Sequence, residues 1–115
     1  MSRQSYGSED LHQQALFNFF AIAEHRIPAL ALAFHTPNGG LRARKTAIRL
    51  KSLGVKSGVP DVMIPVHTDF YRGLAIELKY GKNKCTATQL HWHQMLREYG
   101  WRVVVVYDWT HAALS

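Results

Sequence analysis

Four consecutive valines, Val103–Val106, lie inside the stretch Trp101–Tyr107. A β-branched, uncharged run of this kind is a poor solvent-facing strand, because a half-exposed strand alternates apolar with polar residues. The pattern is that of a strand buried on both faces, so the rest of the chain must cover both.

Helical patterns lie upstream of it. Leu11, Ala15, Phe19, Ile22 and Ala23 recur at helical spacing, with Phe17 and Phe20 widening the apolar face, and predict a helix from about Glu9 to Glu24 that ends before Pro28. The run 29–34 fits a short helix or a strand, with an extended stretch favoured near Leu32–His35, and it stops at the turn signal Thr36-Pro37-Asn38-Gly39-Gly40. Arg42–Leu53 is read as a basic helix with Ala43, Ala47, Leu50 and Leu53 on one buried face and Gly54 as its C-terminal cap. Two apolar segments, Val62–Val66 and Gly73–Tyr80, flank a polar turn and predict a hairpin. Thr86 with Gln89 three residues later opens a helix that runs to about Tyr99, with Gly100 ending it. The order is helix, extended stretch, helix, strand, strand, helix, strand: an α/β chain.

Composition narrows the class further. With 47% apolar residues and four prolines in 115, the chain is expected to form a single domain over residues 1–115. One cysteine, Cys85, permits neither an internal disulfide nor a cysteine-rich zinc module, and a lone thiol favours a reducing compartment, hence a cytoplasmic protein. No apolar run approaches the length of a membrane span, and the polar start of the chain does not read as a secretory signal. The formal charge of +6 is concentrated: residues 41–58 hold six basic and no acidic side chains, and the remainder is close to balanced. Arg42, Arg44, Lys45, Arg49, Lys51 and Lys56 therefore form a candidate phosphate-contacting surface, to which Asn38 and the neighbouring glycines add main-chain donors, and which Lys82 and Lys84 could extend. The competing reading, a solvated helix face, leaves the absence of any acid unexplained.

The chemistry-bearing feature is Gly58-Val59-Pro60-Asp61, followed sixteen residues later by Glu77-Leu78-Lys79. Residues two apart on a strand share a face about 6–7 Å apart. Glu77 and Lys79 thus project together while Leu78 turns the other way. If the hairpin pairs, Asp61 lies beside Glu77, and two carboxylates at one point of a sheet form an oxygen-rich site for Mg²⁺ or Mn²⁺. The competing reading is a surface salt bridge between Glu77 and Lys79 with Asp61 merely starting a strand; charged residues inside an apolar run of a basic protein argue against it. Zinc readings are weaker. His91 and His93 are two apart, which on a helix separates them by about 200° and prevents joint chelation. A His-Asn hairpin nuclease would have to begin at His35 and Asn38, a poor start. Trp92, Trp101, Trp109 and Tyr99 read as core or dimer-interface residues, and Cys85 lacks His and acid partners for nucleophilic catalysis.

Taken together, Gly58-Val59-Pro60-Asp61, Ile76-Glu77-Leu78-Lys79 and Gln89 resemble the signature of the PD-(D/E)XK nuclease superfamily. Within it the chain is most similar to stand-alone, phage-type VRR-NUC domains, a likeness carried also by Pro37–Arg42, Leu53–Gly58, and Gln89 with Leu96 and Gly100 before the valine strand, and extending from about Glu9 to Trp109. The resemblance implies a restriction-endonuclease-like αβββαβ core, a mixed sheet flanked by helices. It implies Asp61 and Glu77 as metal-binding carboxylates, the Leu78 carbonyl as a further ligand and Lys79 as the catalytic lysine. It also implies a first-helix acid near the metal, best matched by Glu9 with Asp10 and Glu24 as alternatives, and a site-facing role for Gln89 compatible with its capping role. The expected activity is Mg²⁺- or Mn²⁺-dependent DNA endonuclease, selective for four-way (Holliday) junctions as a homodimer. Rival expectations are a non-catalytic basic DNA-binding module and a subunit that is silent until joined by a helicase or repair partner.

Overall fold

Side chains alternate in direction along β2 (Val62–Ile64) and β3 (Leu74–Leu78), which sends Val62, Ile64, Ile76 and Leu78 to one side of a sheet, and this face collects the main core. The computed structural model describes residues 8–36 and 44–107; within that span the side chains of Ser8, Glu9 and Arg44 are not described, and Asn38, Arg42 and Trp109 lie outside it. The chain runs through α1 (Ser8–Ala23), a 3-10 turn (Pro28–Leu32), β1 (Phe34–His35), α2 (Arg44–Ser52), β2, β3, α3 (Ala87–Glu98) and β4 (Arg102–Val106). The strands form one mixed sheet in the order β1-β2-β3-β4. The first three are antiparallel neighbours and β4 is parallel to β3, with α3 as the crossover that a parallel pair requires. This is the expected αβββαβ order with α2 inserted between β1 and β2.

The two faces of the sheet carry different contents. Leu16 and Phe20 of α1 pack on Val62, Ile64, Ile76 and Leu78, with Leu30, Val104 and Val106 at the margin. Burial of each such aliphatic or aromatic side chain is worth about 2 kcal/mol. Phe17 meets Phe20 edge to face at 5.4 Å between ring centroids. Ala75, Glu77 and Lys79 have the opposite parity and are also buried, and Glu77 meets Gln89 and His93 of α3. No helix among the described residues is long and apolar enough to cross a membrane.

Three expectations about burial are corrected. In α1 the buried stripe is Leu16 and Phe20, whereas Leu11, Phe19 and Ile22 are exposed, Ile22 by 73%. A helix apolar on most sides does not announce its own rotation; the sheet it meets selects it. In α2 the predicted buried face is largely outward: Ala47 is exposed, Leu53 is 70% exposed and Leu50 only half-buried. The valine strand is an edge strand, with Val103 buried and Val105 partly open to solvent.

Candidate active site

The β2–β3 register pairs Val62 with Ile76, Met63 with Ala75 and Ile64 with Leu74. The ladder ends at the pair of Val62 and Ile76, and Asp61 and Glu77 are the next residues outward on the two strands. Side chains alternate faces along a strand, so Asp61 and Glu77, each one residue beyond this pair, turn to the face opposite Val62 and Ile76. Glu77 is completely buried and Lys79 is 7% exposed, which excludes the reading of a solvated surface pair. Burial of both signs of charge in the α3-facing layer is costly unless each is met by a polar partner.

Several local devices hold this layer. The main-chain N–H of Leu78 donates to Asp61 Oδ2 at 2.8 Å. A strand residue directs its N–H and C=O to the same side, so the Leu78 carbonyl also leaves β3 on the side of Asp61. Gly58 explains the approach of the Asp61 segment to α3. Its φ of +86° is left-handed, and a Cβ there would meet Thr88 Cγ2 at 2.6 Å and the Thr88 carbonyl carbon at 2.8 Å. Only glycine lets this loop lie against the first turn of α3.

That turn carries a reciprocal cap: Gln89 N–H donates to Thr86 Oγ1 at 3.2 Å, and Thr86 N–H donates to Gln89 Oε1 at 2.8 Å. With its oxygen committed to the cap, the Gln89 carboxamide turns its Nε2 toward Glu77 Oε2 at 3.5 Å. One helical turn later, His93 Nε2 lies 3.0 Å from Glu77 Oε1. Burial, reinforced by the cations of Arg97 and Lys79 against the pull of Asp61, holds His93 below the ordinary histidine pKa. A bond from His93 to an ionised Glu77 carboxylate requires the proton on Nε2. Half-buried Cys85 lies within reach of the same charges: burial pushes its thiol up, Lys79 opposes this, and Glu77 and Asp61 add to it. A thiol so held is protonated at neutral pH and is no nucleophile.

Similarity to known proteins agrees with this geometry. The VRR-NUC domain family model matches residues 9–109. The chain belongs to the VRR-NUC family. Among solved structures it is similar to one titled "VRR_NUC domain protein", with a TM-score of 0.71 and 27% identity over 91% of this chain and 81% of that one. No curated protein matches it. The architecture is accordingly restriction-endonuclease-like, and the chain is a nuclease-type domain with DNA as the substrate implied by its family.

Of the residues singled out from the sequence of this VRR-NUC domain, the fold brings Asp61, Glu77, Lys79 and Gln89 into one layer between β2, β3 and α3. Glu9 belongs to the first turn of α1, but its side chain is outside the described set; Asp10 lies in the same turn, and Glu24 in the turn just after the end of α1. Lys45, Arg49, Lys51 and Lys56 are exposed on and just after α2; Arg44 opens that helix, and Asn38 and Arg42 lie outside the described residues. Sequence reasoning missed His93. The signal was present in Gln89 and His93 at i and i+4, which places both on one face of α3. Weighing His93 only as a chelating partner for His91 obscured it.

Proposed function

We propose that this VRR-NUC domain is a divalent-cation-dependent DNA endonuclease in which Asp61, Glu77 and the Leu78 carbonyl hold Mg²⁺ or Mn²⁺ and Lys79 serves the reaction directly. The observation that carries this reading is the Asp61 carboxylate, which accepts the Leu78 N–H at 2.8 Å between the buried side chains of Glu77 and Lys79. Among the described residues no group of three or more His, Cys, Asp and Glu side chains suited to a metal is present. Two carboxylates nevertheless fit Mg²⁺, which keeps several waters and takes only one or two carboxylates besides substrate oxygens. All the donors are hard oxygens, which also suits Mn²⁺. Glu9 remains the proposed first-helix acid.

A cation bound there supplies Lewis-acid polarisation of the phosphodiester and lowers the pKa of a water. The chain's own groups do the rest. Lys79 places a positive charge where it can orient the attacking water or offset charge developing on the phosphate oxygens. Gln89, fixed by its cap, borders the same site beside Glu77. Lys45, Arg49, Lys51 and Lys56, with Asn38, Arg42 and Arg44, attract the DNA backbone and release its counterions.

The similarity to small phage-type VRR-NUC domains supports a finer reading: a cytoplasmic homodimer that nicks four-way junctions symmetrically, since a two-fold substrate calls for two sites. A helicase or repair protein is the natural further partner. The test is cleavage of a labelled linear duplex, a hairpin-bearing single strand and a four-way junction with Mg²⁺ or Mn²⁺, beside EDTA and the Glu77→Ala protein. Symmetric nicks confined to the junction and abolished in both controls are expected. Cutting of all three substrates would replace junction selectivity with general nuclease activity. Salt-sensitive DNA binding without cleavage would overturn the catalytic reading.

A further inference from the structure

We propose that His93 is a positioning residue for Glu77, fixing the carboxylate so that its remaining lone pairs face the cation rather than α3. The inference rests on the site reading above and deepens it. Glu77 is completely buried, so its oxygens depend on protein partners for orientation, and the final torsion of a Glu side chain is otherwise broad. Both oxygens are approached from one face of α3: Oε1 by His93 Nε2 at 3.0 Å and Oε2 by Gln89 Nε2 at 3.5 Å. The Gln89 approach is long, whereas the His93 distance is that of an ordinary hydrogen bond, so of these two His93 holds the carboxylate more firmly.

The ring is held as firmly as the group it holds. His93 is 1% exposed and is the buried residue of α3. Enclosed this far, the imidazole acts through Glu77 rather than on DNA. The cap at Thr86 and Gln89 fixes the first turn of the same helix, so both approaches to Glu77 are delivered by one rigid element. Outer groups that orient a ligating carboxylate are known to govern the affinity of the inner site.

The test compares the full-length wild type with His93→Gln, which keeps an N–H donor, His93→Leu, which fills space without one, and Glu77→Ala. Mn²⁺ binding is followed by electron paramagnetic resonance without DNA, kcat and KM for junction cleavage are measured at saturating Mn²⁺, and thermal unfolding reports packing. His93→Leu is expected to weaken Mn²⁺ roughly 10- to 100-fold, the usual cost of removing such an outer hydrogen bond. It should lower kcat with KM for DNA unchanged, and His93→Gln should recover most of both. If His93→Leu does not fold, His93→Met, also without a donor, takes its place. Wild-type Mn²⁺ binding and kcat in the folded donor-free variant, or no advantage of Gln over it, would overturn the role of His93. Loss of Mn²⁺ in Glu77→Ala beside such a result leaves the site reading standing; wild-type Mn²⁺ binding by Glu77→Ala removes both.

Discussion

The Asp61 carboxylate accepts the main-chain N–H of Leu78, the residue that separates Glu77 from Lys79, at 2.8 Å. One side chain of the β2 approach thereby pins the strand that carries both other charged groups. Its structural and chemical roles can be separated. Asp61→Asn keeps an acceptor for Leu78 and should fold like the wild type, yet cleavage should fall by roughly three orders of magnitude, since a bound cation contributes several kcal/mol of transition-state stabilisation. Asp61→Ala should in addition lose about 1–3 kcal/mol of stability for the orphaned N–H. Single-turnover rates beside urea melts check both; equal stability of the two variants would refute the structural half.

Gly58 and Gly54 offer a matched pair. Both have left-handed φ, +86° and +102°, but a Cβ at Gly54 meets nothing within 4 Å, whereas one at Gly58 collides with Thr88. Gly54→Ala should therefore cost only the backbone strain of about 1–2 kcal/mol. Gly58→Ala should cost more and should also depress cleavage, because it pushes the Asp61 segment off α3. Denaturation midpoints and cleavage rates of the two proteins decide this, and equal losses would contradict the packing argument.

Thr86→Ala removes the cap oxygen that receives Gln89 N–H. A stability loss of about 1 kcal/mol is expected. The Gln89 carboxamide is then less firmly held beside Glu77, so cleavage should fall modestly, and Thr86→Ser should restore both. Calorimetry and turnover measurements on the two variants test it.

The exposed cations of α2 should act through phosphates and not through the chemistry. Replacing Arg49 and Lys51 by Ala should weaken DNA binding and lower the slope of log affinity against log salt by about 0.9 for each phosphate no longer neutralised. Gel-shift titrations with the Glu77→Ala background, run over a salt series, measure the slope. An unchanged slope would mean that this helix does not touch DNA.

Much of the arrangement was legible from local pattern. The turn chemistry between 66 and 73 and the apolar runs on either side located the hairpin, and Thr86 with Gln89 marked the start of α3, because caps and period-two alternation depend on near neighbours alone. The same alternation put Glu77 and Lys79 on one face. Which stripe of α1 turns inward, and that Leu53 and Ala47 of α2 face outward, could not be read there, since apolar residues on several sides leave the rotation open. The valine run signalled burial but not the edge position that leaves Val105 partly exposed.

The sequence by itself determined the elements, the charge-bearing strand and the spacing of Asp61, Glu77 and Lys79. Only the tertiary structure decided that Asp61 binds the Leu78 N–H next to Glu77, and that His93, on the following helix, grips Glu77 Oε1. Strand register and helix rotation are set by which surfaces meet, and that is a property of packing between distant segments rather than of any segment's own periodicity.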